Sequence, residues 1–79
     1  MSKKLFEIIA HVMSIPVSEI NDKSGPDTIE SWDSFNGLVL LDELESTFGV
    51  KFSLEEITDV KTVEDIKKHL VNHGVNLDE

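Results

Sequence analysis

Asp33 and Ser34 sit where a long polar stretch meets the most apolar helical pattern of the chain, in Ser31-Trp32-Asp33-Ser34-Phe35-Asn36-Gly37-Leu38. The ordinary role for either residue is to cap the helix, a contribution of about 1 kcal/mol. The chemical role is a modification site, because a phosphate ester on the Ser34 hydroxyl would lie beside unpaired backbone N–H groups and the positive end of the helix dipole. Hydrolytic chemistry is not indicated: Ser34 lacks the Gly-x-Ser-x-Gly elbow, and nothing identifies a base for it. The many carboxylates are not set among apolar neighbours that would raise a pKa for acid–base work.

Two metal readings are open to the sequence, and both are weak. His69 and His73 are one helical turn apart, but no third ligand is evident, and surface or boundary histidines near a frayed C-terminus are the ordinary alternative. The acidic loop beginning at Asp22 puts Pro26 at the fifth position and Asp27 at the sixth, where a calcium-binding EF-hand requires glycine. We expect a solvated loop and no metal.

The elements that must position Ser34 can be read from periodicity. Leu5, Phe6, Ile8, Ile9, Val12 and Met13 fall on one arc, with Lys4, Glu7 and His11 opposite, which predicts a helix over residues 3–13 with Ser2 as N-cap and Pro16 as its stop. Residues 14–33 carry no sustained period. Val17 and Ile20 are expected to turn inward, Asn21 to Asp27 to form turns, and Ile29 and Trp32 to anchor the connection. A second helix begins at Asp33 or Ser34 and runs to Phe48, with Leu38, Leu40, Leu41, Leu44 and Phe48 on one face and Gly49 at its left-handed end. Phe35 and Val39 form an exposed apolar pair on another side, near Asp42. Val50, Phe52 and Leu54 alternate, but without a partner run they predict an extended linker. Ser53 with Glu56 predicts a short third helix to about Asp59, and Thr62 with Asp65 a fourth, carrying Val63, Ile66 and Leu70 and ending at Gly74. The sum is an all-α, four-helix bundle: three principal helices, one short helix and a long first loop.

Composition narrows the function classes. The 79 residues include 7 basic and 16 acidic side chains and no cysteine. One domain over residues 1–79 is expected, with no thiolate metal site and no protein thiol catalyst. Strong acidity argues against nucleic-acid binding. The longest apolar run, Leu38 to Leu41, is far too short to span a bilayer, so a soluble, cytoplasmic chain is expected. Residues 19–59 hold the entire net charge of −9. Basic partner surfaces should therefore approach the side bearing Ser34, and salt should slow them.

Taken in order, these residues resemble the acyl and peptidyl carrier proteins. The likeness rests on Asp33-Ser34-Phe35 for the family's Asp-Ser-Leu, then Leu38, Leu41, Leu44 and Glu45, then Phe48-Gly49-Val50 and Phe52. It continues through Leu54-Glu55-Glu56-Ile57 and Thr62-Val63-Glu64-Asp65-Ile66. The resemblance implies 4′-phosphopantetheine esterified to Ser34, installed from coenzyme A by a phosphopantetheinyl transferase that also reads Asp33. It implies acyl or aminoacyl thioesters on that arm, passed from a loading ligase to downstream enzymes, with no catalysis by the carrier itself. Phe35 replaces the usual leucine, as in some D-alanyl carriers. Asn36 and Val39 stand where carriers of general fatty-acid synthesis commonly have acidic residues.

A free-standing, monomeric carrier of a specialised pathway is therefore expected, contacting partners through Phe35, Asn36, Val39, Asp42 and Glu43. The alternative is an unmodified module that docks a partner through helix two. Leu38, Leu41 and Leu44 are expected in the core, or lining a cleft for cargo; Trp32 is a loop anchor or a shield beside the arm. Gly37 should cost helix two about 1 kcal/mol relative to alanine.

Overall fold

Helix α1, Lys3–Met13, forms on the predicted arc and buries Leu5, Ile9, Ala10 and Met13, with Lys4, Glu7 and His11 exposed. The computed structural model describes residues 3–77, so the expected Ser2 cap lies outside the described residues. The helix ends at Ser14, before Pro16: Ser14 adopts φ 59°, and the Ile15 N–H donates back to the Ala10 carbonyl at 3.1 Å. Glycine usually fills this left-handed position; a side chain there costs roughly 1–2 kcal/mol.

The long connection is packed through its own hydrogen bonds. Val17–Glu19 makes one 3₁₀ turn, and Ile20, Ile29 and Trp32 are buried as anchors. Val17 is exposed, contrary to expectation, because Ile20 already has extended backbone (φ −98°, ψ 133°) and the two side chains no longer share a face. Ser24 is buried with its hydroxyl accepting from the Asn21 N–H at 2.9 Å. The carbonyls of Ser24 and Asp22 accept from the Val63 and Glu64 N–H groups at 2.8 and 2.9 Å, so the loop supplies partners for the unpaired start of the last helix. Gly25 permits this approach: a Cβ on it would lie 2.1 Å from the Lys61 carbonyl oxygen.

Helix α2, Ser34–Phe48, is capped by Asp33 and closed by Gly49 at φ 68°. Leu40, Leu41 and Leu44 are buried, but Leu38 is 60% exposed. At 3.6 residues per turn Leu38 lies about 120° from Leu44, beyond the edge of the buried arc. The following segment is extended and unpaired as expected, pinned by the Phe52 N–H donating to Glu45 Oε2 at 2.8 Å. Helix α3, Leu54–Asp59, and helix α4, Val63–Asn72, both open with the predicted capping boxes.

The core joins α1, α2 and α4 to the loop anchors through Leu5, Ile9, Met13, Leu40, Leu44, Val63, Ile66 and Leu70. Helix α3 contributes no buried residue; Ile57 leans on the core half-buried, and Leu54 is 76% exposed. Polar contacts supplement this thin packing. His73 Nε2 lies 2.9 Å from Glu56 Oε2, and His69 Nε2 lies 3.2 Å from Asp59 Oδ2, while its Nδ1 stands 3.4 Å from Glu56 Oε2 without a hydrogen bond. His69 is half-buried and His73 exposed, the surface or boundary residues that the sequence leads one to expect; their partners on α3 are the part that periodicity does not reveal.

The Ser53 N–H, and next the His73 ring, hold the Glu56 carboxyl below its ordinary 4.5. A carboxyl whose pKa falls on folding adds stability above its unfolded value and loses it as pH falls through the folded value. Glu56→Gln is therefore expected to flatten the decline in melting temperature between about pH 5 and pH 3. Identical slopes for the variant and the parent chain would refute this role.

Candidate functional site

The start of α2 is built by Asp33. Its backbone is extended (φ −98°, ψ −175°), its Oδ1 accepts from the Asn36 N–H at 2.8 Å, and its carbonyl accepts from the Gly37 N–H at 2.8 Å. Ser34 is then the first helical residue, and it is exposed. The Ser34 and Phe35 N–H groups stand at the terminus, where helix geometry provides no carbonyl four residues back. A phosphate diester on the hydroxyl would meet donors and the dipole's positive end there.

Beside Ser34 opens a cavity of about 460 Å³. Leu40, Leu41 and Ile66 line it from the core, Ile57 and Val60 from α3 and its end, and Pro26, Leu38 and Trp32 from the loop and α2. Among its lining side chains only Asp33 and Ser34 are hydroxylic or charged, apart from the indole of Trp32. Small-molecule sites commonly have this size and this pairing of apolar walls with few polar groups. The Ser34 hydroxyl thus stands beside an apolar recess.

Gly37 belongs to this wall. A Cβ there would lie 3.6 Å from Trp32 Nε1 and 3.8 Å from Cδ1, ordinary van der Waals contact. Gly37→Ala is expected to stabilise the fold by about 1 kcal/mol, raising the melting temperature by roughly 4–8 °C. A lower melting temperature would show that the helix needs glycine at this point.

The expected partner-facing residues divide in two. Phe35 is 72% exposed, and Asp42 and Glu43 are also exposed; Val39 is half-buried, so of the expected exposed apolar pair only Phe35 stands out. Asn36 is half-buried, and its Nδ2 donates to the Ser31 carbonyl at 2.8 Å, so its amide is spent within the chain. Of the three leucines weighed between core and cleft, Leu44 is wholly buried core, Leu41 is buried and lines the cavity, and Leu38 lines it while exposed. Trp32 serves as both loop anchor and cavity wall. Sequence reasoning missed Pro26, Ile57 and Val60 as lining residues. The available signal was two apolar residues, Ile57 and Val60, in an acidic segment too short to own a core.

Among the described residues no helix is long and apolar enough to cross a membrane. No curated protein matches the chain. A family model, the phosphopantetheine attachment site, matches residues 3–70. That span runs from the first residue of α1 to the last buried residue of α4, so it takes in the capped serine, the cavity and the loop that frames both. The chain belongs to this family, the acyl and peptidyl carrier proteins, whose domain is the site of covalent 4′-phosphopantetheine attachment.

Proposed function

We propose that Ser34 carries the phosphopantetheine and that the chain delivers acyl groups in a specialised biosynthetic pathway. One observation carries the assignment: the exposed Ser34 hydroxyl, at the first position of a capped helix, borders an apolar cavity. The bound arm supplies a terminal thiol on which acyl or aminoacyl groups ride as thioesters, a thiol this cysteine-free chain does not have itself. Asp33 holds the helix start and is offered to the phosphopantetheinyl transferase together with the serine. The cavity suits apolar acyl cargo, because its walls are apolar apart from Asp33, Ser34 and the Trp32 indole at its lining. The chain catalyses nothing; selectivity comes from a loading ligase and downstream enzymes that meet its acidic side.

The specialised pathway is favoured by Asn36 and Val39, neither of which presents charge beside Ser34. Incubation with coenzyme A and a broad-specificity transferase should add one phosphopantetheine by intact mass, mapped to the peptide containing Ser34. No gain with several transferases would overturn the assignment in favour of an unmodified module docking through Phe35, Val39, Asp42 and Glu43. Efficient turnover by enzymes of general fatty-acid elongation would overturn the specialised pathway.

A further inference from the structure

We infer that Asn36 is a positioning residue for the modification of Ser34, through a hydrogen-bonded tether that references the serine to helix α1. The inference rests on the reading of Ser34 as the attachment residue.

Three contacts form the tether. The Asn36 N–H donates to Asp33 Oδ1 at 2.8 Å, closing the first turn across Ser34. Asn36 Nδ2 donates to the Ser31 carbonyl at 2.8 Å, so the side chain reaches back over the same turn to the loop that precedes it. Ser31 Oγ donates in turn to the Met13 carbonyl at 2.8 Å, one of the unpaired carbonyls at the end of α1. Met13 is itself 1% exposed, packed with Leu5 and Ile9 in the core. The path from the core to Ser34 therefore runs Met13, Ser31, Asn36, Asp33, and Ser34 lies inside the loop that the last three residues close.

The chemistry of the acceptor decides which residue types can serve. A carbonyl oxygen only accepts, so the group facing Ser31 must donate. Asparagine does this; an aspartate at the same position would present an anion to a carbonyl dipole and release the corner. The absence of charge at position 36 thus has an internal cause as well as a consequence for partners. Freeing the corner spreads the serine hydroxyl over more positions. Attack by that hydroxyl on a phosphoryl group depends on alignment, and small displacements are costly in rate.

Loading kinetics with a phosphopantetheinyl transferase, on the full chain, test the tether. Asn36→Leu removes the donor without adding charge, and Asn36→Asp removes it while adding charge. Both should lower kcat about fivefold, the scale of one lost hydrogen bond, with KM changed less than about twofold. Ser31→Ala cuts the link to Met13 and should lower kcat similarly. The Ser31→Ala/Asn36→Leu double variant should be no slower than the slower single variant, because both cut one tether. A change in KM alone, or full multiplication of the two effects, would overturn positioning and make Asn36 a docking contact.

Hydrogen exchange on the unmodified chain separates this inference from the attachment reading. The Gly37 N–H, bonded to the Asp33 carbonyl, should exchange about fivefold faster in Ser31→Ala and, after correction for intrinsic rate, in Asn36→Leu. Unchanged protection would overturn the tether even if Ser34 is loaded. Faster exchange in a chain that no transferase loads would leave the tether standing and sink the attachment reading.

Discussion

Ser34→Ala is expected to abolish the phosphopantetheine mass gain while leaving the fold intact. The hydroxyl would supply the only oxygen through which the ester is made, so the effect on loading is all or none. The effect on stability is small because Ser34 is exposed and the cap belongs to Asp33. Surface substitutions away from caps and core usually stay within about 0.5 kcal/mol, and this one should too. Thermal melts of the two chains should therefore superimpose within a few degrees, while intact mass separates them completely. Ser46→Ala, on the exposed side of the same helix, provides the control: it should load like the parent chain. Loading of Ser34→Ala, at any rate, would move the attachment to another hydroxyl.

Gly25→Ala is expected to produce the largest loss of stability among the substitutions considered. The new methyl would overlap a backbone carbonyl, Lys61 O at 2.1 Å, and approach Thr62 Cα at 3.3 Å. Neither can rotate away as a side-chain tip does, so the loop must lift from the junction between α3 and α4. Lifting it pulls the Ser24 and Asp22 carbonyls from the Val63 and Glu64 N–H groups, leaving the start of α4 without two acceptors. Overpacking costs about 1–3 kcal/mol, and each orphaned amide adds on the order of 1 kcal/mol. A loss of about 3 kcal/mol is a large share of the roughly 4–12 kcal/mol expected for a chain of this size. The melting temperature should fall on the order of 15 °C. Pro26 adjoins Gly25 and lines the cavity, so binding of apolar probes beside Trp32 should weaken as well. An unchanged melting temperature would mean that the loop can shift without breaking its contacts with α4.

The helices were legible because each is announced by local chemistry. Asp33, Ser53 and Thr62 each accept the N–H three residues on, as their side-chain lengths dictate, and Gly49 takes the left-handed end that its missing Cβ permits. The serine at the head of α2 followed from the same local signals. What escaped was long-range. No property of Gly25 alone reveals a carbonyl brought against it from residue 61, and no period tells His69 and His73 that two carboxylates of α3 stand opposite. Leu38 looked like core because leucine spacing was read without the width of the buried arc. Asn36 was read as a missing charge on the outer surface; its actual partner, the Ser31 carbonyl, is supplied by a loop conformation that periodicity does not encode.

Helix α3 joins the core through half-buried side chains only. Elements with few buried contacts open in sub-global steps at free energies well below that of whole-chain unfolding. Since Ile57 and Val60 form one wall of the recess beside Ser34, its least anchored side is also its movable one. Opening of α3 would then move one wall of the recess while α1, α2 and α4, with Ser34 at the head of α2, keep their shared core. The volume of the recess would then follow the population of one short helix rather than the unfolding of the whole chain.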